Sequence, residues 1–149
     1  MHNTIVHFRR LLSSAVMALV LIVALPAAET AADPIDGSAA IVAVIEDQIA
    51  AFQRDDLDAA FAHASPLVQG KFGNPARFGM MVQRGYPMIW RPQSYRVGSA
   101  TETPSGPIQV VTFLDGAGVS WEAAYQMRMI DGTWRIAGVS LKRLPGFST

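Results

Sequence analysis

The feature that most constrains the fold is a change in the spacing of apolar residues after Pro87. Before this residue they recur every three to four positions, as on one face of a helix, whereas after it they alternate, as on a strand. Asp131-Gly132 separates two of the alternating runs, and this dipeptide favours a two-residue hairpin turn. Helices followed by hairpin-connected strands are typical of an α+β domain.

Three helices are predicted before Pro87, near 39–53, 57–64 and 75–85, because apolar residues recur there at helical spacing. The second is expected to end at Pro66, since a proline inside a helix removes a backbone hydrogen bond. Asn74-Pro75 is a capping residue followed by proline, which is typical of a helix start.

Four strands are predicted near 94–101, 108–114, 119–130 and 133–141. Their short connections indicate an antiparallel meander, and the three helices are expected to cover its curved apolar face.

A register follows from the two tight turns. It places Tyr125 opposite Gly138, and, if Leu114 pairs with Val119, it places Thr112 on the same inner face. This predicted inner face contains no Asp, Glu or His. A buried carboxylate or imidazole for proton transfer is therefore not expected from the strands.

Residues 1–32 are predicted to be a secretory signal peptide with a short leader. Arg9 and Arg10 precede an apolar run at 11–25, and the small residues after it allow cleavage following either Ala27 or Ala32. An uncleaved anchor is the alternative, but the run is shorter than the ~20 residues that span a bilayer. We therefore expect a periplasmic or secreted bacterial protein with a single domain at 33–149 and no membrane association after cleavage.

The composition argues against several classes of protein. The chain has no cysteine, which excludes a disulfide scaffold, a thiolate nucleophile and any cysteine-ligated metal. Its formal net charge is zero, and no basic stripe with exposed aromatic residues indicates nucleic-acid binding. Of its three histidines only His63 lies outside the predicted signal peptide, so no metal site and no cofactor are predicted.

Two residues are candidates for catalysis, His63 and Tyr86. His63 lies at the border of the apolar face of the second helix, where it would serve as a general base or be a structural histidine. Tyr86 lies with Arg91 in the segment from Gly85 to Pro92, which Pro87 and Pro92 stiffen. This segment is either a buried connector or a polar rim that orients an anionic group.

A ligand site is predicted on the inner face of the sheet and at its mouth. Its candidate residues are aromatic, methionine and arginine side chains: Tyr86, Arg91, Trp121, Tyr125, Met127 and Trp134. Methionine adapts to irregular apolar ligands, although it also fills protein cores. Arg128 and Arg135 are expected on the outer face, which would be the contact surface of a homodimer.

Several short motifs resemble those of an uncharacterised bacterial family, a domain of unknown function with a nuclear transport factor 2-like (cone) fold. The resemblance extends from about Ile41 to Pro145, and the Gly-Tyr-Pro and Arg-Pro motifs are its more specific part. The motifs are Ala64-Ser65-Pro66, Phe72-Gly73, Arg84-Gly85-Tyr86-Pro87, Arg91-Pro92 and Asp131-Gly132-Thr133-Trp134-Arg135-Ile136-Ala137-Gly138. The resemblance implies a cystatin-like scaffold but no catalytic residues.

These observations favour a non-enzymatic domain that binds a small apolar ligand or a protein partner, because an apolar pocket with few polar groups suits binding. Two alternatives stay open. One is a lyase or isomerase that uses His63 with Tyr86, and the other is a structural or dimerising domain with a filled interior.

Overall fold

The structure, a computed structural model, describes residues 38–146 and consists of helices followed by one sheet. The helices are α1 (Ser38–Gln53), α2 (Leu57–Ala62), α3 (Pro66–Phe72), α4 (Pro75–Gly85) and α5 (Pro87–Trp90). The strands are β1 (Ser94–Thr101), β2 (Ile108–Leu114), β3 (Ser120–Ile130) and β4 (Thr133–Arg143). The predicted signal peptide lies outside the described residues.

Five helices, and not the predicted three, precede the sheet in the described part of the chain. Pro66 begins α3 instead of only ending α2, and Pro87 begins α5. Proline suits the first position of a helix because the backbone N–H there would have no partner within the helix. Ser65 caps α3 by accepting a hydrogen bond from the Val68 N–H, so that Ser65-Pro66 is a helix start.

The four strands form an antiparallel sheet in the order β1-β2-β3-β4, as predicted for a meander. The predicted bounds of β1 and β2 are confirmed, whereas β4 continues two residues further, to Arg143. One face of the sheet is buried, and its fully buried side chains are Gln109, Val111, Phe113, Ala123, Tyr125 and Met127.

The predicted register is wrong by one residue between β2 and β3, and between β3 and β4 it is wrong by one residue beyond Met127. Leu114 pairs with Ser120, because the Asp115 carboxylate accepts hydrogen bonds from the N–H groups of Ala117 and Val119 and draws Val119 into the loop. Thr112 therefore lies on the outer face.

Between β3 and β4 the predicted pairing holds from the Asp131-Gly132 turn as far as Met127 opposite Ile136. A bulge then adds Ala137 to β4, so that Tyr125 pairs with Val139 instead of Gly138.

The buried amide of Gln109 compensates for a second irregularity, between Val97 and Ala100 of β1. Its Nε2 lies 2.8 Å from the Gly98 carbonyl oxygen and 3.2 Å from that of Ser99. Backbone carbonyls that a bulge removes from the ladder need such a partner when they are partly buried.

The apolar side of α1 is buried in the core, against the inner face of the sheet. Of the apolar residues at helical spacing in α1, Ile41, Ile45, Ile49 and Phe52 are at most 1% exposed, whereas Val44 is only partly buried. The Phe52 ring contacts aromatic rings from two other helices, with centroids 6.0 Å from Phe78 and 5.5 Å from Trp90. None of the helices within 38–146 is long and apolar enough to cross a bilayer.

Candidate functional site

A cavity of about 1130 Å³ lies between the helices and the β3–β4 part of the sheet. Its wall is formed by α3, by one side each of α1, α4 and α5, and by the inner side of the last hairpin. The described residues that line it are Gln48, Phe52, Ala64, Pro66, Leu67, Val68, Gly70, Lys71, Phe72, Phe78, Met81, Val82, Gly85, Tyr86, Ile89, Tyr125, Ile136, Ala137, Gly138 and Val139. Most of these side chains are apolar.

Helix α3 forms the outer wall of the cavity. All of its residues except Gln69 line the space, yet none of them is buried, and Leu67 is 83% exposed. Gln69 attaches the helix to the preceding segment, because its Nε2 donates to the carbonyl oxygens of Phe61 at 3.0 Å and Ala64 at 3.1 Å. Because the residues of α3 contact both the cavity and solvent, we infer that the cavity opens to solvent at this helix.

Few polar groups are available to a ligand inside the cavity. The Gln48 amide nitrogen donates to the Ala60 carbonyl oxygen at 3.1 Å, and the Tyr86 hydroxyl donates to the Val139 carbonyl oxygen at 3.4 Å. None of the described lining residues is Asp, Glu or His. The described lining therefore supplies no carboxylate and no imidazole for proton transfer.

Tyr125 of β3 also lines the cavity. The side chain is fully buried, and its hydroxyl has no hydrogen-bond partner among residues 38–146. Burial raises the pKa of the Tyr125 hydroxyl far above its usual value, and the nearby Tyr95 on β1 raises it further. The phenol is therefore neutral and can act as a hydrogen-bond donor.

Of the six predicted ligand-binding residues, the structure brings Tyr86 and Tyr125 together at the cavity. Arg91 lies outside the described lining and forms an ion pair with Asp55, with Nη2 and Oδ1 separated by 2.6 Å. Trp121 is likewise outside it, and its Nε1 donates to the Asp115 carboxylate at 2.9 Å.

The other two predicted residues, Met127 and Trp134, also lie outside the described lining. Met127 is fully buried in the core, opposite Ile136. Trp134 is partly buried near the hairpin turn, opposite Met129, whose side chain is half exposed. The cavity lies farther along the hairpin, around the bulge at Ala137.

His63, the predicted catalytic candidate, caps the end of α2 and is half-buried outside the described lining. Its carbonyl oxygen accepts a hydrogen bond from the Ile136 N–H, which attaches the segment to β4. Burial lowers the pKa of His63; Asp47 opposes this shift and Arg135 adds to it. The structure separates His63 from Tyr86, which does line the cavity.

Most of the lining was not among the predicted ligand-binding residues, and the largest omission is α3, including Leu67, Val68 and Lys71. A signal for them existed, because Ser65-Pro66 is a capping residue followed by proline, the same pattern that indicated α4. No residue of the described range belongs to a cluster of three or more groups that could hold a metal ion.

Comparison with known proteins gives one family and one fold. A family model described as a domain of unknown function, DUF4864, matches residues 35–149. A crystal structure of an NTF-2-like protein of unknown function from Silicibacter pomeroyi is similar to this chain, with a TM-score of 0.51 and 18% sequence identity. The match covers 73% of this chain and 97% of that protein. A search of curated protein sequences finds no match.

Proposed function

This chain belongs to the DUF4864 family, whose function is unknown, and we propose from its cavity that it binds a small, mostly apolar ligand without transforming it. The observation that carries this proposal is the cavity of about 1130 Å³ with a mostly apolar wall. Ligand sites typically have roughly 300–1,000 Å³ and a few polar groups. The ligand would lie in this cavity, between the helices and the inner face of the sheet.

The composition of the wall supports binding rather than catalysis. An isomerase or lyase needs a group that moves a proton near the reacting atom. The described lining has no carboxylate and no imidazole, and His63 lies outside it. The apolar wall instead favours burial of hydrocarbon, which stabilises a complex by about 25 cal/mol for each Å² removed from water.

The adjacent methionines of α4 allow a matched test of the proposal. Met81 lines the cavity, whereas Met80 is 48% exposed and lies outside the described lining. The probe is Nile red, an uncharged dye whose fluorescence increases in apolar surroundings. We expect the wild-type protein to bind it and Met81→Trp to weaken binding roughly ten-fold, because the indole occupies the ligand's space.

Met80→Trp adds the same ring to the surface and should leave the affinity for Nile red unchanged. Circular dichroism establishes that both variants are folded. Equal affinities of the two folded variants, or no binding by the wild-type protein, would contradict the proposal.

We also propose that the protein works outside the cytoplasm. The support is the charged, apolar and small-residue order of residues 1–32.

A further inference from the structure

We propose that the ligand is an amphiphile with one anionic head group, and that Lys71 binds this head group at the mouth of the cavity while the hydrocarbon body lies inside. This inference rests on the proposed function and specifies the ligand class of the same cavity. Three observations support it: the position of Lys71, the absence of a paired carboxylate for Lys71 among residues 38–146, and the distribution of polar groups in the wall.

Lys71 is the only charged side chain among the described residues that line the cavity. It lies in the last turn of α3, the helix that separates the cavity from solvent, and it is exposed. Within residues 38–146 no carboxylate lies within 4.0 Å of its ammonium group. An anion brought to the mouth would therefore not have to displace a carboxylate of these residues.

The neighbours of Lys71 are apolar and belong to the same wall. Leu67 is one helical turn away on α3 and is the most exposed large apolar side chain of the described chain. The Lys71 ammonium lies 5.8 Å from the centre of the Phe72 ring. A cation placed between an exposed leucine and a phenylalanine forms an amphipathic mouth, which matches a molecule with a charged end and a hydrocarbon chain.

Away from Lys71, the described wall has no charged group that could pair with a charge on the ligand. The Gln48 and Tyr86 side chains already donate to backbone carbonyls, and the unpartnered Tyr125 hydroxyl is a neutral donor with no charge to pair with an anion. Burial of an unpaired charge there would be strongly unfavourable, because the wall cannot replace the water that solvates the charge. The charged end of the ligand must therefore remain at the mouth, where Lys71 and solvent both reach it.

The test compares laurate with 1-dodecanol, which have the same chain length and differ in the charge of the head group. Both are titrated below the concentration at which laurate forms micelles, and binding is measured by isothermal titration calorimetry at low ionic strength. We expect wild-type protein to bind laurate about five-fold more tightly than dodecanol, as suits one solvent-exposed ion pair. Added salt should reduce this preference.

Lys71→Glu should abolish or reverse the preference, because it should weaken the binding of laurate much more than that of dodecanol. Lys142, the chain's other lysine, provides the matched control: it is exposed on β4, outside the described lining, and Lys142→Glu makes the same change of charge. Lys142→Glu should retain the preference for laurate.

The possible failures are distinguishable. If dodecanol binds as tightly as laurate, or if Lys71→Glu keeps the preference, the role of Lys71 is overturned and the apolar cavity still binds ligands. If neither probe binds folded wild-type protein, the proposed function is overturned and this inference with it.

Discussion

At the scale of single residues, two arginines bind the ends of helices. Arg91 donates through Nη1 to the carbonyl oxygens of Phe52 and Trp90, and its Nη2 reaches Asp55. Arg135 donates to the carbonyl oxygen of Ala62, the last residue of α2. The final carbonyls of a helix have no partner within it and carry the negative end of its dipole. These arginines therefore stabilise the helix ends, which accounts for the position of Arg91 outside the described lining.

His63 gives a prediction of pH dependence, because burial lowers its pKa below the ordinary value of 6.5. Between the two pKa values the unfolded chain binds more protons than the folded protein, so the free energy of unfolding increases with pH. This contribution is present above pH 6.5 and is lost as the pH falls through the folded-state pKa.

Urea unfolding at about pH 7.5 and about pH 5.5 should therefore show a larger loss of stability in wild-type protein than in His63→Gln. The substitution removes the titrating group while keeping a polar side chain of similar size beside Asp47 and Arg135. Identical losses in the two proteins would show that His63 titrates as in the unfolded chain.

At the scale of elements, two glycines affect the stability of α3 in different ways: Gly70 has a helical backbone inside α3, and Gly73 ends the helix with a positive φ. Gly73 follows the helix with a φ of 81°, and its N–H donates to the Gln69 carbonyl oxygen at 2.8 Å. Gly70 lies within the helix, and a Cβ there would meet nothing within 4 Å. The same substitution at the two positions should therefore change stability in opposite directions.

We expect Gly73→Ala to lower the free energy of unfolding by about 1 kcal/mol, since a Cβ is strained at positive φ. Gly70→Ala should raise it by about 0.5–1 kcal/mol, because alanine is the better helix former. Chemical denaturation of both variants measures the difference. Changes of the same sign would contradict this account of how α3 ends.

At the scale of the whole domain, the helices do not fill all of the space against the inner face of the sheet. Several side chains of α1 are buried in the core, whereas α3 has no buried side chain. The space beneath α3 and beside α4 is the cavity. This cavity remains open because α3 contributes no buried side chain to fill it.

The processing of the full chain is a second property of this scale. We predict that protein recovered from the periplasm of a bacterial host begins at Ala28 or Asp33, the residues that follow the two predicted cleavage sites. N-terminal sequencing and intact-mass measurement check this, and a chain that lacks residues 1–32 and remains in the cytoplasm is the control. A periplasmic or membrane-bound protein that retains residues 1–32 would contradict the prediction.

Much of the fold could be predicted because its signals are local. The alternation of apolar residues gave the bounds of β1 and β2, and Asp131-Gly132 gave the pairing near the last turn. The candidate site could be predicted only in part. Tyr86 and Tyr125 lie at the cavity, but the Ser65-Pro66 pattern was interpreted as a helix end and the wall that α3 forms was missed.

The sequence by itself determined the order of helices and strands, because backbone preference and the spacing of apolar residues act within a few positions. The register beyond the turns was seen only in the tertiary structure, where the Asp115 carboxylate accepts a hydrogen bond from the Val119 N–H within the β2–β3 loop and the Ala137 bulge shifts the pairing of β4 with β3. The tertiary structure also decided the cavity, which joins Lys71 of α3, Met81 of α4 and Val139 of β4. Residues so far apart in the chain share a wall only through packing, and no local pattern encodes the space that packing leaves open.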